Sequence, residues 1–294
     1  MTPLQKVLTN VLTTVTPPQT SLKLVKTFLH DVNSELKKKK VNATAVLGGS
    51  YAKGVWIAGA HDVDIFVRFK KENKKQETRK QKQEEETISD TLGTVLKRWN
   101  PERVHGSRDY YRVKKDGYLY ELVPVLFITK PSEAENVTDS SPLHTSWALN
   151  NFNKQSKDLR GDVRLAKLFC KTARVYGAES YISGFSGHVL DVLIIHYKGF
   201  VPLLKAVVSW DSENKIVIDH EKTHKGKALR HLNTSKTDGP LIIVDPVDPT
   251  RNAAAAVGKE AVEKLQTTAT LFLKRPSKEF FNPTFQPPNS QKYY

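Results

Sequence analysis

Residues 44–69 read TAVLGGSYAKGVWIAGAHDVDIFVRF, and this stretch decides the fold. Residues 44–47 are a short apolar run ending in Gly48-Gly49, the pattern of a strand entering a tight turn. Residues 50–56 then read as the first turns of a helix, with Ser50 as its N-cap. Free backbone N–H groups at a helix start attract phosphate, and Gly49 lets an anion approach the backbone closely. Lys53 adds a positive charge one turn later. Asp62 and Asp64 open a second strand that continues through Phe69. Side chains two apart on a strand share a face, so the two carboxylates repel each other unless a cation lies between them. Hard oxygen ligands beside a phosphate-binding turn favour Mg2+. Alone, a Gly-Gly-Ser is usually a plain turn and an Asp-X-Asp an exposed strand end. In this order, with a lysine between them, they point to metal-assisted nucleotidyl transfer.

Working outward, residues 118–127 form another apolar strand after the Asp116-Gly117 turn signal, and Glu121 is its only charge. Glu121 is either a solvent-facing edge residue or a third ligand on a neighbouring strand. Residues 4–15 and 20–36 have helical apolar spacing, the second ending in a solvated run of four lysines, residues 37–40. Residues 70–86 are almost wholly polar and read as surface. Residues 88–99 read as a helix, and 103–115 as a strand before the Asp-Gly turn. Residues 131–141 are a polar connector. Further helices are expected at 162–173, 188–197, 201–208 and 253–273, with a strand at 240–244.

The chain has 294 residues with 46 Lys+Arg against 31 Asp+Glu, a formal charge of +15. Such an excess points to a polyanionic partner, nucleic acid first. A single cysteine, Cys170, excludes an internal disulfide. Residues 1–17 lack the charged-then-apolar order of a signal peptide, and no apolar run has the length of a membrane span. A soluble cytoplasmic protein without membrane contact is expected.

Beyond the glycine turn and aspartates, five further stretches carry a resemblance. These are Ser141-Pro-Leu-His144, Lys167, Val175-Tyr-Gly-Ala-Glu179, Gly184-Phe-Ser-Gly187 and Val244-Asp-Pro-Val-Asp-Pro-Thr-Arg-Asn252. In order and spacing the chain resembles the archaeal (class I) CCA-adding tRNA nucleotidyltransferases, of the polymerase-beta-like superfamily, over residues 1 to about 280. The resemblance implies an α+β fold, with a mixed-sheet catalytic domain at 1–150 and a mainly helical substrate-binding domain at 151–276; residues 277–294, rich in Pro, Asn and Gln, read as a flexible tail. The resemblance also implies that Asp62, Asp64 and Glu121 hold two Mg2+ ions, with Mn2+ able to substitute. Gly49, Ser50, Lys53, Ser141, His144, Lys167 and Tyr176 would bind the triphosphate. Arg251 would read the base, unless it pairs structurally with Asp245 or Asp248. The implied partners are CTP, ATP and tRNA or a tRNA-like RNA, and the implied product is a 3′ CCA end. Two departures stand out: the family's third carboxylate is usually aspartate, and Val55 replaces a frequent threonine. Members also carry a further C-terminal region that helps hold tRNA, for which no counterpart is expected in these residues. Two other functions remain open: terminal adenylyl or nucleotidyl transfer to another RNA, and RNA binding without catalysis.

Overall fold

A computed structural model describes residues 1–71, 81–211 and 213–285, with backbone alone for 81–86. Most of the polar stretch 70–86 and the last part of the expected tail, 286–294, lie outside the described residues. The chain divides into two compact units, Pro17–Ser146 and Met1–Thr16 with Trp147–Tyr294.

In order, the chain forms α1 (Pro3–Val15), α2 (Gln19–Lys38), β1 (Ala43–Leu47), α3 (Gly49–Lys53), β2 (Asp62–Phe69), α4 (Gln81–Leu96), β3 (Glu102–Val104), β4 (Tyr110–Lys115) and β5 (Tyr118–Leu126). Then follow α5 (Ser141–Lys154), α6 (Arg160–Thr172), α7 (Gly187–Tyr197), α8 (Phe200–Val208), β6 (Ile216–Ile218), α9 (Ala228–His231), β7 (Leu241–Ile243) and α10 (Lys259–Lys274).

The N-terminal unit is a five-stranded mixed sheet in the order β1-β2-β5-β4-β3. Only β2 and β5 pair in parallel; the other neighbours are antiparallel. Strand alternation gives the sheet two unlike faces. Val63, Ile65 and Val67 of β2, Tyr120 and Leu122 of β5 and Val113 of β4 are buried in one core with Val25, Phe28, Val32 and Leu36 of α2 and Leu92 and Val95 of α4. The opposite face takes Asp62 and Asp64. Burial of six alternate positions fixes this register, because a one-residue slip would put carboxylates into the core. The β4–β5 turn has left-handed backbone at Asp116 (φ 52°) and Gly117 (φ 78°), which suits a tight hairpin.

The C-terminal unit is mainly helical, with a two-stranded parallel pair of β6 and β7. Its centre holds an aromatic cluster. Phe169 of α6 lies with its ring centroid 5.5 Å from those of both Phe200 and Phe272, and 5.8 Å from that of Phe281.

Several local expectations are corrected. Gly48, not Ser50, stands at the N-cap of α3, so Ser50 lies inside the helix. The strand expected over 103–115 is interrupted at 105–109, where Asp109 accepts hydrogen bonds from the Arg103 Nε–H (2.8 Å) and bonds His105 Nδ1 (3.0 Å). The last helix begins only at Lys259: the Ala253 N–H donates to the Ile243 carbonyl and the Gly258 N–H to the Ser183 carbonyl, both at 2.8 Å, while the Ala255 and Val257 N–H groups close short turns onto the Asn252 and Ala254 carbonyls. Phe280 and Phe281 are buried in the aromatic cluster, so this part of the expected tail is packed core. Finally, α1 packs on α6 and on the turn at Lys278–Phe281, which places it in the C-terminal unit rather than the sheet unit. Periodicity says that α1 buries a face but not against what.

Candidate active site

The candidate carboxylates sit where the sheet's exposed face meets the glycine turn. β1 runs antiparallel to β2 and ends at Leu47, opposite Ile65. The Gly48 N–H donates to the Asp64 carbonyl at 2.8 Å, which presses the turn against the strand. Gly49 has φ +49°, and a Cβ there would lie 1.7 Å from Asp64 Oδ2. Any side chain at this position therefore collides with the carboxylate and strains the backbone. Ser50 follows within α3, half-buried, and Lys53 is buried in its last turn. Beside Asp62, burial raises the Tyr51 hydroxyl to about 12, with further contributions from Tyr118 and Asp62; this hydroxyl donates to the Ala60 carbonyl at 2.9 Å.

Glu121 is the direct register partner of Asp64 across the parallel β2–β5 pair. Adjacent strands lie about 4.8 Å apart and register partners share a face, so Asp62, Asp64 and Glu121 lie on the same face of neighbouring strands. Glu121 is also the register partner of Arg112 on β4. Arg112 Nε donates to Glu121 Oε1 at 2.8 Å, and its Nη2 lies 2.8 Å from the same oxygen. Both contacts fall on Oε1, and Glu121 Oε2 accepts no hydrogen bond from the described residues. Sequence reasoning missed Arg112; only the β4–β5 register reveals it.

Ser141 opens α5, and His144 lies one turn along it. Their placement depends on a buried group also missed in sequence, where it sat in an apparent linker. Asp139 accepts from the Leu126 N–H (2.8 Å), the Glu135 N–H (3.1 Å) and the Asn136 N–H (3.0 Å), and forms a buried ion pair with Arg108. Arg108 also donates to the Pro124 carbonyl at 3.2 Å. The end of β5 and the start of α5 are thereby tied to one carboxylate.

In the C-terminal unit, Lys167 of α6 is buried rather than solvated. A Cβ on Gly187 would lie 3.3 Å from the Tyr176 hydroxyl and 4.0 Å from Lys167 Cε, so these residues meet at the start of α7. Tyr176 is held by a bridge to Phe185. Gly184 is required there because its Cβ would fall 2.1 Å from the Val175 carbonyl oxygen. His188 Nε2, one residue into α7 from Gly187, lies 4.0 Å from Asp245 Oδ2, and Arg251 Nε lies 3.9 Å from the same oxygen. Asp245 is buried and accepts from the Val247 N–H (2.9 Å) and Asp248 N–H (3.2 Å), while Arg251 remains 45% exposed. The expected structural pairing of Arg251 with Asp245 is thus present at the long end of an ion-pair distance. His188 was not singled out from sequence, although it sits beside a quoted motif.

A strand–glycine turn–helix leading into a carboxylate-bearing strand, followed by a helical unit, defines a polymerase-beta-like nucleotidyltransferase. Comparison with known proteins sharpens this. Residues 29–144 match the nucleotidyltransferase domain family, and residues 161–282 match the family described as tRNA nucleotidyltransferase, second domain. The CCA-adding enzyme of Nanoarchaeum equitans is 40% identical over 231 residues, covering 77% of this chain and 54% of that protein. That of Pyrobaculum islandicum is 31% identical over 291 residues, covering 96% of this chain and 63% of that protein. The chain belongs to the archaeal-type CCA-adding tRNA nucleotidyltransferase family and spans about half the length of the curated relatives it matches. Among solved structures, it resembles Cid1, described as having RNA terminal uridylyl transferase activity, with a TM-score of 0.71 at 13% identity over 97% of this chain and 99% of that one. It also resembles E. coli MS115-1 CdnC with ATP, with a TM-score of 0.64 at 17% identity over 94% of each chain. At these identities the likeness speaks for the fold alone. Among the described residues, no helix is long and apolar enough to cross a membrane.

Proposed function

We propose that this chain adds C, C and A to the 3′ end of tRNA from CTP and ATP, releasing pyrophosphate at each step. The observation that carries the reading is the register of Asp64 with Glu121, beside Asp62 and under the Gly49 backbone. A divalent metal fits this donor set: three carboxylates and no sulfur or imidazole suit Mg2+. Asp62, Asp64 and Glu121 would hold it, with Glu121 offering Oε2 while Arg112 keeps Oε1. When bound, such an ion supplies activation of the 3′-hydroxyl and charge neutralisation at the pyrophosphate leaving group.

The chain's own residues do the rest. Gly49 lets the turn close onto the Asp64 carboxylate, and Lys53 contributes positive charge within α3. Ser141 and His144, positioned through Asp139, add hydroxyl and imidazole donors. In the C-terminal unit, Lys167 and the Tyr176 hydroxyl donate to phosphate oxygens. Burial of Lys167 strengthens its field, because little water screens it. Arg251 presents a planar guanidinium that can pair bidentately with a cytosine or adenine edge. Its long contact to Asp245 orients it without occupying its whole donor set.

The test is incubation of a tRNA transcript lacking CCA with each of the four nucleoside triphosphates and Mg2+, singly and in combination. The reading requires two cytidines and then one adenosine, and addition that stops there. Extended adenosine tails, uridine addition or no labelling would overturn it.

A further inference from the structure

A second concentration of charge lies apart from the residues described so far. The fifteen residues 222–236 carry Lys222, Lys225, Lys227, Arg230 and Lys236 and no carboxylate, a third of the chain's net +15 in about a twentieth of its length. All five side chains are exposed, and none forms an ion pair with a carboxylate among the described residues.

The loop that carries them is held in shape. Asp219 accepts from the Thr223 N–H at 3.0 Å and the His224 N–H at 2.7 Å. Lys222 and Lys225 adopt left-handed backbone, φ 56° and 48°, which a residue with a Cβ keeps only where its surroundings impose it. Ala228 and Leu232 are buried with Ile242 and Val244, so the loop's apolar residues anchor it to β7 and its cations face outward. His224 Nε2 lies 2.8 Å from the Pro249 carbonyl oxygen, and its ring stacks on His231 with centroids 5.1 Å apart. A carbonyl only accepts, so Nε2 carries the proton. That bond fixes the basic loop to the turn that carries Arg251.

We propose that residues 222–236 form a docking surface for the phosphate backbone of RNA, an inference that rests on the function proposed above and deepens it. Spaced cations on an ordered loop match a polyphosphate chain, whose contacts need charge rather than a buried apolar anchor. A lipid surface fits less well. Leu229, 44% exposed, is the only large apolar side chain the loop exposes, and α9 has only four residues, too few for an amphipathic membrane helix.

The test measures binding of a fluorescein-labelled tRNA transcript lacking CCA to the full chain by anisotropy, across a KCl series. The quadruple variant K222N/K225N/K227Q/R230Q keeps residues that tolerate left-handed backbone at the two strained positions. A control variant, K37Q/K38Q/K40N, removes charge at the end of α2, with Asn at the left-handed Lys40 (φ 56°). The loop variant should bind at least about tenfold more weakly near 0.1 M salt, and its log–log salt slope should fall by about 3, at roughly 0.7–0.9 per lost phosphate contact. In turnover the loss should appear in KM for RNA rather than in kcat, and the control should shift affinity by less than about threefold. Should the quadruple variant melt early, K222N/K225N alone should give about half the slope change. Equal affinity and slope in loop variant and unaltered protein would overturn the proposal, as would an equal loss per charge in the control. Loop-dependent binding to phosphatidylserine vesicles with RNA binding unaltered would assign the surface to lipid and overturn it too. The two readings fail separately: a protein that adds no CCA yet shows the loop-dependent slope loses only the function proposed above.

Discussion

The carboxylate face of β2 and β5 and the turn after β7 place their polar residues by different physics. On the sheet, Asp62, Asp64 and Glu121 are positioned by what lies on the other side of the strands. Val63, Ile65, Tyr120 and Leu122 are all buried in one core, so the register is overdetermined and the carboxylates have no alternative face. The segment after β7 has no periodicity. Arg251 is placed by Asp245, Asp248 and Asn252, whose side chains cap successive backbone N–H groups. Asn252 also donates from Nδ2 to the Lys236 carbonyl at 2.9 Å. A site built on register should survive most single changes near it and fail when its own side chains change. A site built on capping bonds should fail when any cap is removed.

The largest effect should come from the sheet site. Asp64→Asn keeps shape and removes charge, and nucleotide incorporation should fall by about a thousandfold or more in single-turnover assays, with the melting curve little changed. Loss of the fold alongside activity would break the contrast. Next, Gly49→Ala drives a Cβ onto Asp64 Oδ2. Incorporation should drop about a hundredfold, and denaturant unfolding should show a cost of about 1–2 kcal/mol for the left-handed backbone.

Asp139→Ala tests the polar anchor within the sheet unit. It leaves the buried Arg108 guanidinium without its carboxylate, and should cost about 3–5 kcal/mol by denaturant titration. Asn252→Ala is milder, about 1–3 kcal/mol, because it leaves the Ile243 and Ala254 N–H groups without their acceptor. Its sharper readout is selectivity: discrimination among the four nucleotides should weaken while Asp64-dependent chemistry persists. The smallest effect concerns Cys170. Burial pushes its thiol pKa up, so a thiol reagent should leave the native protein unlabelled and react only on unfolding.

The same contrast explains what could be read in advance. The β2 and β5 strands, the Asp-Gly hairpin and the candidate role of Glu121 follow from a period of two with a lone charge in an apolar run. Arg112 was invisible because its meaning is a cross-strand register, and register is a tertiary fact. Asp139 was hidden in a stretch whose Ser/Glu/Asp composition reads as linker, although its carboxylate is buried with Arg108. The alanines before Gly258 favour helix by propensity, yet the Ala253 and Gly258 N–H groups go to the Ile243 and Ser183 carbonyls, and the tertiary bonds win. Lys167 shows the limit of a helical pattern: spacing placed it on α6 but did not show that it would be buried.

The central claim is that three carboxylates on two adjacent strands form one divalent-metal site. Iron-mediated hydroxyl-radical cleavage tests it most directly, with Fe2+ standing in for Mg2+ and no turnover required. The account predicts backbone cuts confined to the neighbourhoods of residues 62–64 and 121, suppressed by excess Mg2+ and absent in Asp64→Asn. Cuts clustered elsewhere, or a pattern indifferent to Asp64, would contradict it.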